Sequence, residues 1–202
     1  MTRTLEFIFD FGSPNAYLAH QVLPGLLART GASVRYVPCL LGGIFKATGN
    51  QAPMVQYAEI PAKLAYQRLE VQRFIIAHGL TQFRMNPHFP VNTLLIMRAA
   101  MVAQADGMLD RYIAAVLGDM WEQGRKMDDP QTVIAALNGH GFDGAAMVAR
   151  TQDQAIKDAL VANTEGAVAR GVFGIPSFFV GDDLYFGKDR LDQVEAALAE
   201  QA

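Results

Sequence analysis

Cysteine is almost missing from this 202-residue chain, in which Cys39 is the single thiol. That excludes an internal disulfide and any CxxC redox pair, and with them a dithiol oxidoreductase. A lone thiol needs no oxidising compartment, so a cytoplasmic protein is expected. An excess of either charge is missing too: 17 Lys and Arg stand against 20 Asp and Glu, for a formal net charge of −3. Such a balance supplies no basic face for nucleic acid. No apolar run approaches the ~20 residues that cross a bilayer, and no membrane contact is expected. The opening MTRTLEFIFDFGSP has neither the apolar stretch nor the small-residue cleavage site of a secretory signal. His20, His78 and His140 are scattered without metal-ligand spacing, so no metal is expected. Internal repeats, low-complexity segments and long linkers are absent. What remains is a chain of near-zero mean hydropathy, long enough to bury a core without disulfides or metals. It suits one domain, or one domain carrying a large insertion.

The residues present divide the chain into three parts. Leu5–Phe11 reads as a strand, with Leu5, Phe7, Phe9 and Phe11 on a buried face and Glu6, Ile8 and Asp10 on a mixed one. After the break at Gly12-Ser13-Pro14, Ala16–Arg29 has helical spacing, with Pro14 acceptable in the first turn and Pro24 expected to kink it. Ser33–Val37 is a second strand ended by Pro38, and a right-handed parallel crossover is the expected link. From Ile60 to about Arg170 nearly everything reads as helix. Ala62–His78 offers Leu64, Leu69, Phe74 and Ile75 inward and closes at Gly79. Asn92 can cap Thr93–Ala105. Met108–Glu122 lines up Tyr112, Ile113, Val116, Met120 and Trp121. Asp129-Pro130 starts a short helix that stops at Gly139. A last stretch runs from about Ala145 to Arg170, with a break expected near Asn163-Thr164 and an end at Gly171. Strand character then returns in Ile175–Val180, a turn at Gly181-Asp182-Asp183, and Leu184–Phe186, before a helix over Leu191–Ala199. The expectation is an α/β fold in which residues 1–59 and 171–202 share one four-stranded mixed sheet and residues 60–170 form an inserted helical domain.

Three segments carry chemistry on that plan. Ser13 stands between a strand end and a helix N-terminus, where unpaired N–H groups and the helix dipole stabilise an anion such as a thiolate. Ser13 as a simple helix cap accounts equally well for that segment. Gly174-Ile175-Pro176-Ser177 puts proline at the head of an apolar strand. A cis bond there would turn the Ile175 backbone toward the first strand–helix loop, ready to pair with a ligand's peptide backbone, whereas an ordinary trans proline would simply open the strand. In Phe186-Gly187-Lys188-Asp189-Arg190, Asp189 sits where the last helix needs a cap, and exposed N–H groups there can take a carboxylate. A solvated turn with an N-cap is the other reading. Cys39, beside Pro38, reads as a small buried apolar residue.

Ser-Pro after the first strand, Ile-Pro at the third and Gly-Lys-Asp-Arg-Leu before the last helix resemble, in order and across the whole chain, the kappa-class glutathione transferases and 2-hydroxychromene-2-carboxylate isomerases. These are DsbA-like thioredoxin folds with a helical insertion. Gly43-Ile44-Phe45-Lys46 before Gly49-Asn50 adds a match, as do Lys63-Leu64 with Gln72-Arg73-Phe74 and Val172–Pro176 with Gly181-Asp182-Asp183, which lean to the isomerase branch. The resemblance implies glutathione as cofactor and a homodimer. It places Ser13, where redox relatives carry cysteine, at the glutathione sulfur; Ile175 on the tripeptide backbone just before a cis Pro176; Phe186, Gly187, Lys188 and Asp189 at the γ-glutamyl end; and Asn50 on the ligand or substrate. Two departures stand out: Ala16 where relatives often have a second serine, and Lys188 where the Gly-x-Asp-Arg string commonly has Ser or Asn.

For the isomerase branch the resemblance implies that glutathione acts as a recycled nucleophile. Its thiolate adds reversibly to a conjugated carbon of an aromatic enone acid, and a cis/trans rearrangement follows. Lys46, Lys63 or His88 would hold the carboxylate and phenol of that small aromatic substrate. A kappa-like transferase or peroxidase is the alternative enzyme, and a non-catalytic thioredoxin-fold binding module is the alternative outside catalysis. Lys63 also reads as a solvated helix face and His88 as a plain loop histidine.

Overall fold

The computed structural model describes residues 3–200, so the outermost residues of the expected range 1–59 and 171–202 lie outside it. Strand β1 (Thr4–Phe9) is central. β2 (Ser33–Pro38) pairs with it in parallel, and β3 (Ser177–Val180) runs antiparallel on its other side. β4 (Asp183–Phe186) pairs antiparallel with β3, which gives the order β2-β1-β3-β4. Leu5, Phe7, Phe9 and Phe11 are all buried, and Phe7 stacks on Phe178 at 4.9 Å between centroids. The strand ends at Phe9 rather than Phe11, because the next residue, Asp10, turns its side chain inward to bond backbone N–H groups.

Helix α1 (Pro14–Thr30) returns from β1 to β2, starts with Pro14 in its first turn, runs on through Pro24 and stops at Gly31 with φ 67°. Two short helices, α2 (Leu41–Thr48) and α3 (Pro53–Gln56), follow β2 and are not apparent in the sequence pattern. The glycine pair Gly42-Gly43 masks the periodicity of α2. α4 (Pro61–His78) ends at Gly79 as expected, but it buries no residue fully, and Leu69 is 40% exposed. Its inner face carries Leu64, Val71, Phe74 and Ile75, all half-buried, and Leu69 falls on the opposite side of the 3.6-residue repeat.

The remaining helices are α5 (Leu94–Ala105), α6 (Leu109–Trp121), α7 (Pro130–Gly139), α8 (Gly144–Arg150), α9 (Gln154–Ala169) and α10 (Leu191–Glu200). Asp129 caps α7 through the Thr132 N–H at 2.8 Å, and the α6 residues named from the sequence are buried. Asn92 Oδ1 accepts from the Leu94 N–H at 3.1 Å, one residue outside the cap position. The break expected at Asn163-Thr164 lies instead at Thr151–Asp153, between α8 and α9. Thr164 is accommodated in mid-helix because its hydroxyl donates to the Leu160 carbonyl at 2.7 Å. Buried apolar residues from the sheet, α1, α5, α6, α9 and α10 form one continuous cluster. None of the helices among the described residues is long and apolar enough to cross a membrane.

Candidate active site

The β1–α1 turn is held by groups from three distant segments. Asp10, 1% exposed, accepts from the Gly12 N–H at 2.8 Å and from the Leu41 N–H at 2.7 Å, and it also bonds the Thr93 hydroxyl. Burial pushes its carboxyl above the usual range, and those three donors oppose the shift. Trp121, fully buried, donates its indole N–H to the Phe11 carbonyl at 2.9 Å. One acid and one indole therefore hold the N–H and the C=O of a single peptide group, the Phe11–Gly12 unit that leads into Ser13.

Ser13 sits at the cap of α1, with φ −97° and ψ 113°. Its hydroxyl accepts from the Ala16 N–H and donates to the Ile175 carbonyl, each at 3.2 Å. The cap reading of Ser13 is therefore correct, and the same oxygen also reaches the loop that leads into β3. The Ile175-Pro176 bond is cis, as is Phe89-Pro90, which the sequence reading leaves unmentioned. The Ile175 N–H has no hydrogen-bond partner among the described residues, and neither does the Asn15 N–H in the first turn of α1. The side-chain oxygen of Asn15 is likewise buried without a partner.

Around this centre the chain brings together Asn50, Ile175, Pro176, Phe186 and Gly187, while Lys188 and Asp189 face a hollow that none of these lines. The Gly187 N–H donates to the Pro176 carbonyl at 2.9 Å, and Phe186 pairs with Ser177 in the sheet. The Phe186 ring packs against Phe173 at 4.5 Å between centroids, tilted by 50°, and a Cβ at Gly174 would lie 2.7 Å from it, so the aromatic pair closes over a glycine. Asn50 donates from Nδ2 to the Phe173 carbonyl at 2.8 Å, which ties the end of α2 to the same loop. Lys188 is buried. Its ammonium pairs with Asp189 and stands 4.8 Å from the Phe74 ring of α4. Lys188 and Asp189 line a hollow of about 500 Å³ between α1, α4 and α10.

Lys46, Lys63 and His88 are not gathered with that group. Lys46 lies on a cleft between α2, α5 and α9, Lys63 stands 4.0 Å over the Tyr57 ring, and His88 is exposed in the loop before α5. Asn86 holds that loop by accepting from the His88 N–H at 2.8 Å and donating to the Met120 and Arg125 carbonyls. Cys39 is fully buried, and burial pushes its thiol up to about 12, which leaves it inert. Asp10, Thr93, Trp121 and Phe173 are absent from the sequence-based site. Each acts through a contact far along the chain, and no local motif announces it.

A buried cap serine facing the carbonyl before a cis proline, on a β2-β1-β3-β4 sheet, defines a class of protein. The profile of the DSBA-like thioredoxin domain matches residues 4–199. The chain belongs to that family and, within it, is an enzyme of the 2-hydroxychromene-2-carboxylate isomerase and kappa-class glutathione transferase group. It is 28% identical to a 2-hydroxychromene-2-carboxylate isomerase of Pseudomonas putida, over 96% of this chain and 93% of the relative. The identity is 30% with that of Pseudomonas sp. strain C18, over 96% and 89%. It is 25% with glutathione S-transferase kappa 1 of Rattus norvegicus, over 98% and 92%. A solved 2-hydroxychromene-2-carboxylate isomerase superposes with a TM-score of 0.83 at 27% identity, covering 98% and 95% of the two chains. The oxidoreductase DsbA of Xylella fastidiosa shares the fold, at a TM-score of 0.62 and 15% identity over 99% and 86%.

Proposed function

We propose that this enzyme is a glutathione-dependent isomerase of the 2-hydroxychromene-2-carboxylate type, rearranging the cis/trans geometry of an aromatic enone acid. The observation that carries the reading is the Ser13 hydroxyl at the N-terminus of α1, bonded to the carbonyl of Ile175, with the Asn15 and Ile175 N–H groups left without partners among the described residues. Unpaired donors beside a helix dipole suit a peptide-like anion, so the residues present fit glutathione. When bound, glutathione would supply a thiolate nucleophile and be recovered unchanged.

The chain's own tasks follow from its geometry. A serine hydroxyl has one proton, and that of Ser13 points at the Ile175 carbonyl. It must rotate off that carbonyl to donate to a sulfur anion. The Ala16 N–H continues to anchor the oxygen during the rotation. The helix N-terminus lowers the pKa of a thiol held there. Ile175 pairs with the tripeptide backbone, with Pro176 fixing the turn behind it. Phe186, Gly187, Lys188 and Asp189 line the γ-glutamyl end, and Asn50 holds the loop they face. Lys46, Lys63 and His88 are the candidates for pairing with the substrate carboxylate and phenol. The working form is a cytoplasmic homodimer.

The test is calorimetric titration with reduced glutathione, followed by thiolate absorbance in the ultraviolet. Saturable binding with a thiolate signal at neutral pH supports the reading. No binding at millimolar glutathione sinks it and leaves a thioredoxin-fold binding module. Ser13→Ala is expected to keep the fold and lose most of the turnover, and wild-type kinetics in that variant would remove Ser13 from the chemistry. A kappa-like transferase uses the same serine. The 25% identity to the rat enzyme keeps it as the second reading, separated by whether glutathione is consumed.

A further inference from the structure

The cleft between α2, α5 and α9 has a volume of about 470 Å³ and shares no lining residue with the Ser13 turn, the Ile175-Pro176 loop or the Phe186–Asp189 segment. α9 contributes Lys157, Leu160, Val161, Thr164, Glu165 and Val168, which are spaced as one helical face. α2 closes one side at Gly43, where a Cβ would stand 3.1 Å from Thr164, and α5 supplies Leu94 and Arg98. The floor presents no unsatisfied polar atom from Thr164, whose hydroxyl donates to the Leu160 carbonyl at 2.7 Å and accepts from the Leu40 N–H at 3.0 Å. Val161, 52% exposed, is left facing solvent.

Charge gathers around this apolar space. Lys46, Arg98 and Lys157 line it against the single acid Glu165, and none of the four makes an ion pair among the described residues. Elsewhere the chain pairs most of its partly buried charges, as at Arg170–Glu6 and Arg125–Asp119. Arg98 and Lys157 are half-buried among the apolar lining residues, while Lys46 is exposed. A cleft of this size, mostly apolar in its lining and with three cationic side chains against one acid, matches a small molecule with an apolar body and an anionic head.

We propose that this cleft, which shares Lys46 with the candidates for the substrate carboxylate and no residue with the Ser13 turn, is a second binding site for an amphipathic organic carboxylate, with Arg98 and Lys157 as the anchors of its head group. Octanoate and 1-octanol serve as probes, because they share an apolar chain and differ in the charge of the head. Titration calorimetry on the full chain is expected to show one saturable octanoate site, with 1-octanol at least about tenfold weaker. The double variant Arg98→Gln/Lys157→Gln is expected to weaken octanoate by about tenfold or more and leave 1-octanol unchanged. Ala47→Trp fills the mouth without touching a charge and is expected to abolish binding of both probes. Reduced glutathione, titrated into the same variants, is expected to bind as in the wild type, which also certifies their fold. Absence of saturable octanoate binding to the wild type overturns the proposal, as does equal affinity for the two probes. Competition between octanoate and glutathione would make the cleft part of the Ser13 site and would equally overturn it. Because glutathione is titrated separately, failure of the glutathione reading and failure of the cleft are distinguishable.

Discussion

His20 and Asp10 are two buried titratable residues whose environments make opposite demands. His20 packs against the Tyr36 ring, its Nδ1 has no partner, and burial lowers its pKa to about 4 from 6.5. The unfolded chain therefore binds a proton that the folded chain refuses between those two values. Stability is fully present above pH 6.5 and is lost as the pH falls toward 4, by about 3 kcal/mol from this one group. His20→Phe removes the titration while keeping a ring against Tyr36, and chemical denaturation at pH 7 and pH 4.5 is expected to show a smaller acid loss than in the wild type. An unchanged acid loss would assign it to other groups. Asp10 is held by two N–H donors and a hydroxyl, and no single neutral acceptor replaces it. Asp10→Asn turns one N–H donor against another, and a loss of about 1–3 kcal/mol is expected in denaturant unfolding. The loop carrying Ser13 loses its register with it, so turnover is expected to fall further than folding does at a temperature where the variant is still native. A variant with wild-type stability and turnover would show that Asp10 does not organise the turn.

The elements show how much of this was written locally. β1, α1, β2, α6, α7 and α10 follow from alternation, helical spacing and caps such as Ser13 and Asp129, and all of these are short-range signals. α2 was illegible because Gly42-Gly43 interrupts its pattern, and its start is set by Asp10, far back in the chain. The α8–α9 break was misplaced because Asn163 and Thr164 look like interruptions, yet they find partners across the fold in the Pro38 carbonyl and the Leu40 N–H. The site divides in the same way. Ser13 is legible as a cap and Ile175-Pro176 as a proline-led strand, whereas the cap expected of Asp189 is not formed: it lies in a 3-10 turn over Lys188–Arg190 with its carboxylate on Lys188, and Phe173 gains meaning only when Asn50 and Phe186 meet it. Gly174 shows the consequence at the level of the β3–β4 hairpin. An added Cβ would meet the Phe186 ring at 2.7 Å, and the ring, 42% exposed, has room to swing outward. Gly174→Ala is therefore expected to cost less than about 1 kcal/mol in unfolding while weakening glutathione several-fold in calorimetry. An unchanged glutathione affinity would take Phe186 out of the binding surface.

Across the molecule, α3 and α4 add no fully buried residue to the continuous core, and α4 packs against it through the half-buried Val71, Phe74 and Ile75. Met54, Val55, Ile60, Tyr66, Leu69 and Ile76 are 44%, 59%, 48%, 58%, 40% and 79% exposed, and α4 buries no residue fully. A helix of 18 residues with apolar side chains on both faces is incompletely covered in a single chain. A second copy is the occupant the proposed homodimer requires, and Leu69 and Ile76 lie on the uncovered side. Sedimentation velocity is expected to give a dimer for the wild type and a monomer for Leu69→Lys/Ile76→Lys, two changes at exposed positions that leave the core untouched. The consequence reaches the glutathione end, because Phe74 on the inner face of α4 stands over the ammonium of Lys188. If pairing of two chains presses α4 onto that ammonium, the monomeric variant binds glutathione more weakly than the wild type, and dilution of the wild type through its dissociation range lowers affinity in step. A wild-type monomer at tens of micromolar would remove the dimer. A monomeric variant with full glutathione affinity would show instead that α4 is fixed on Lys188 by its own chain alone.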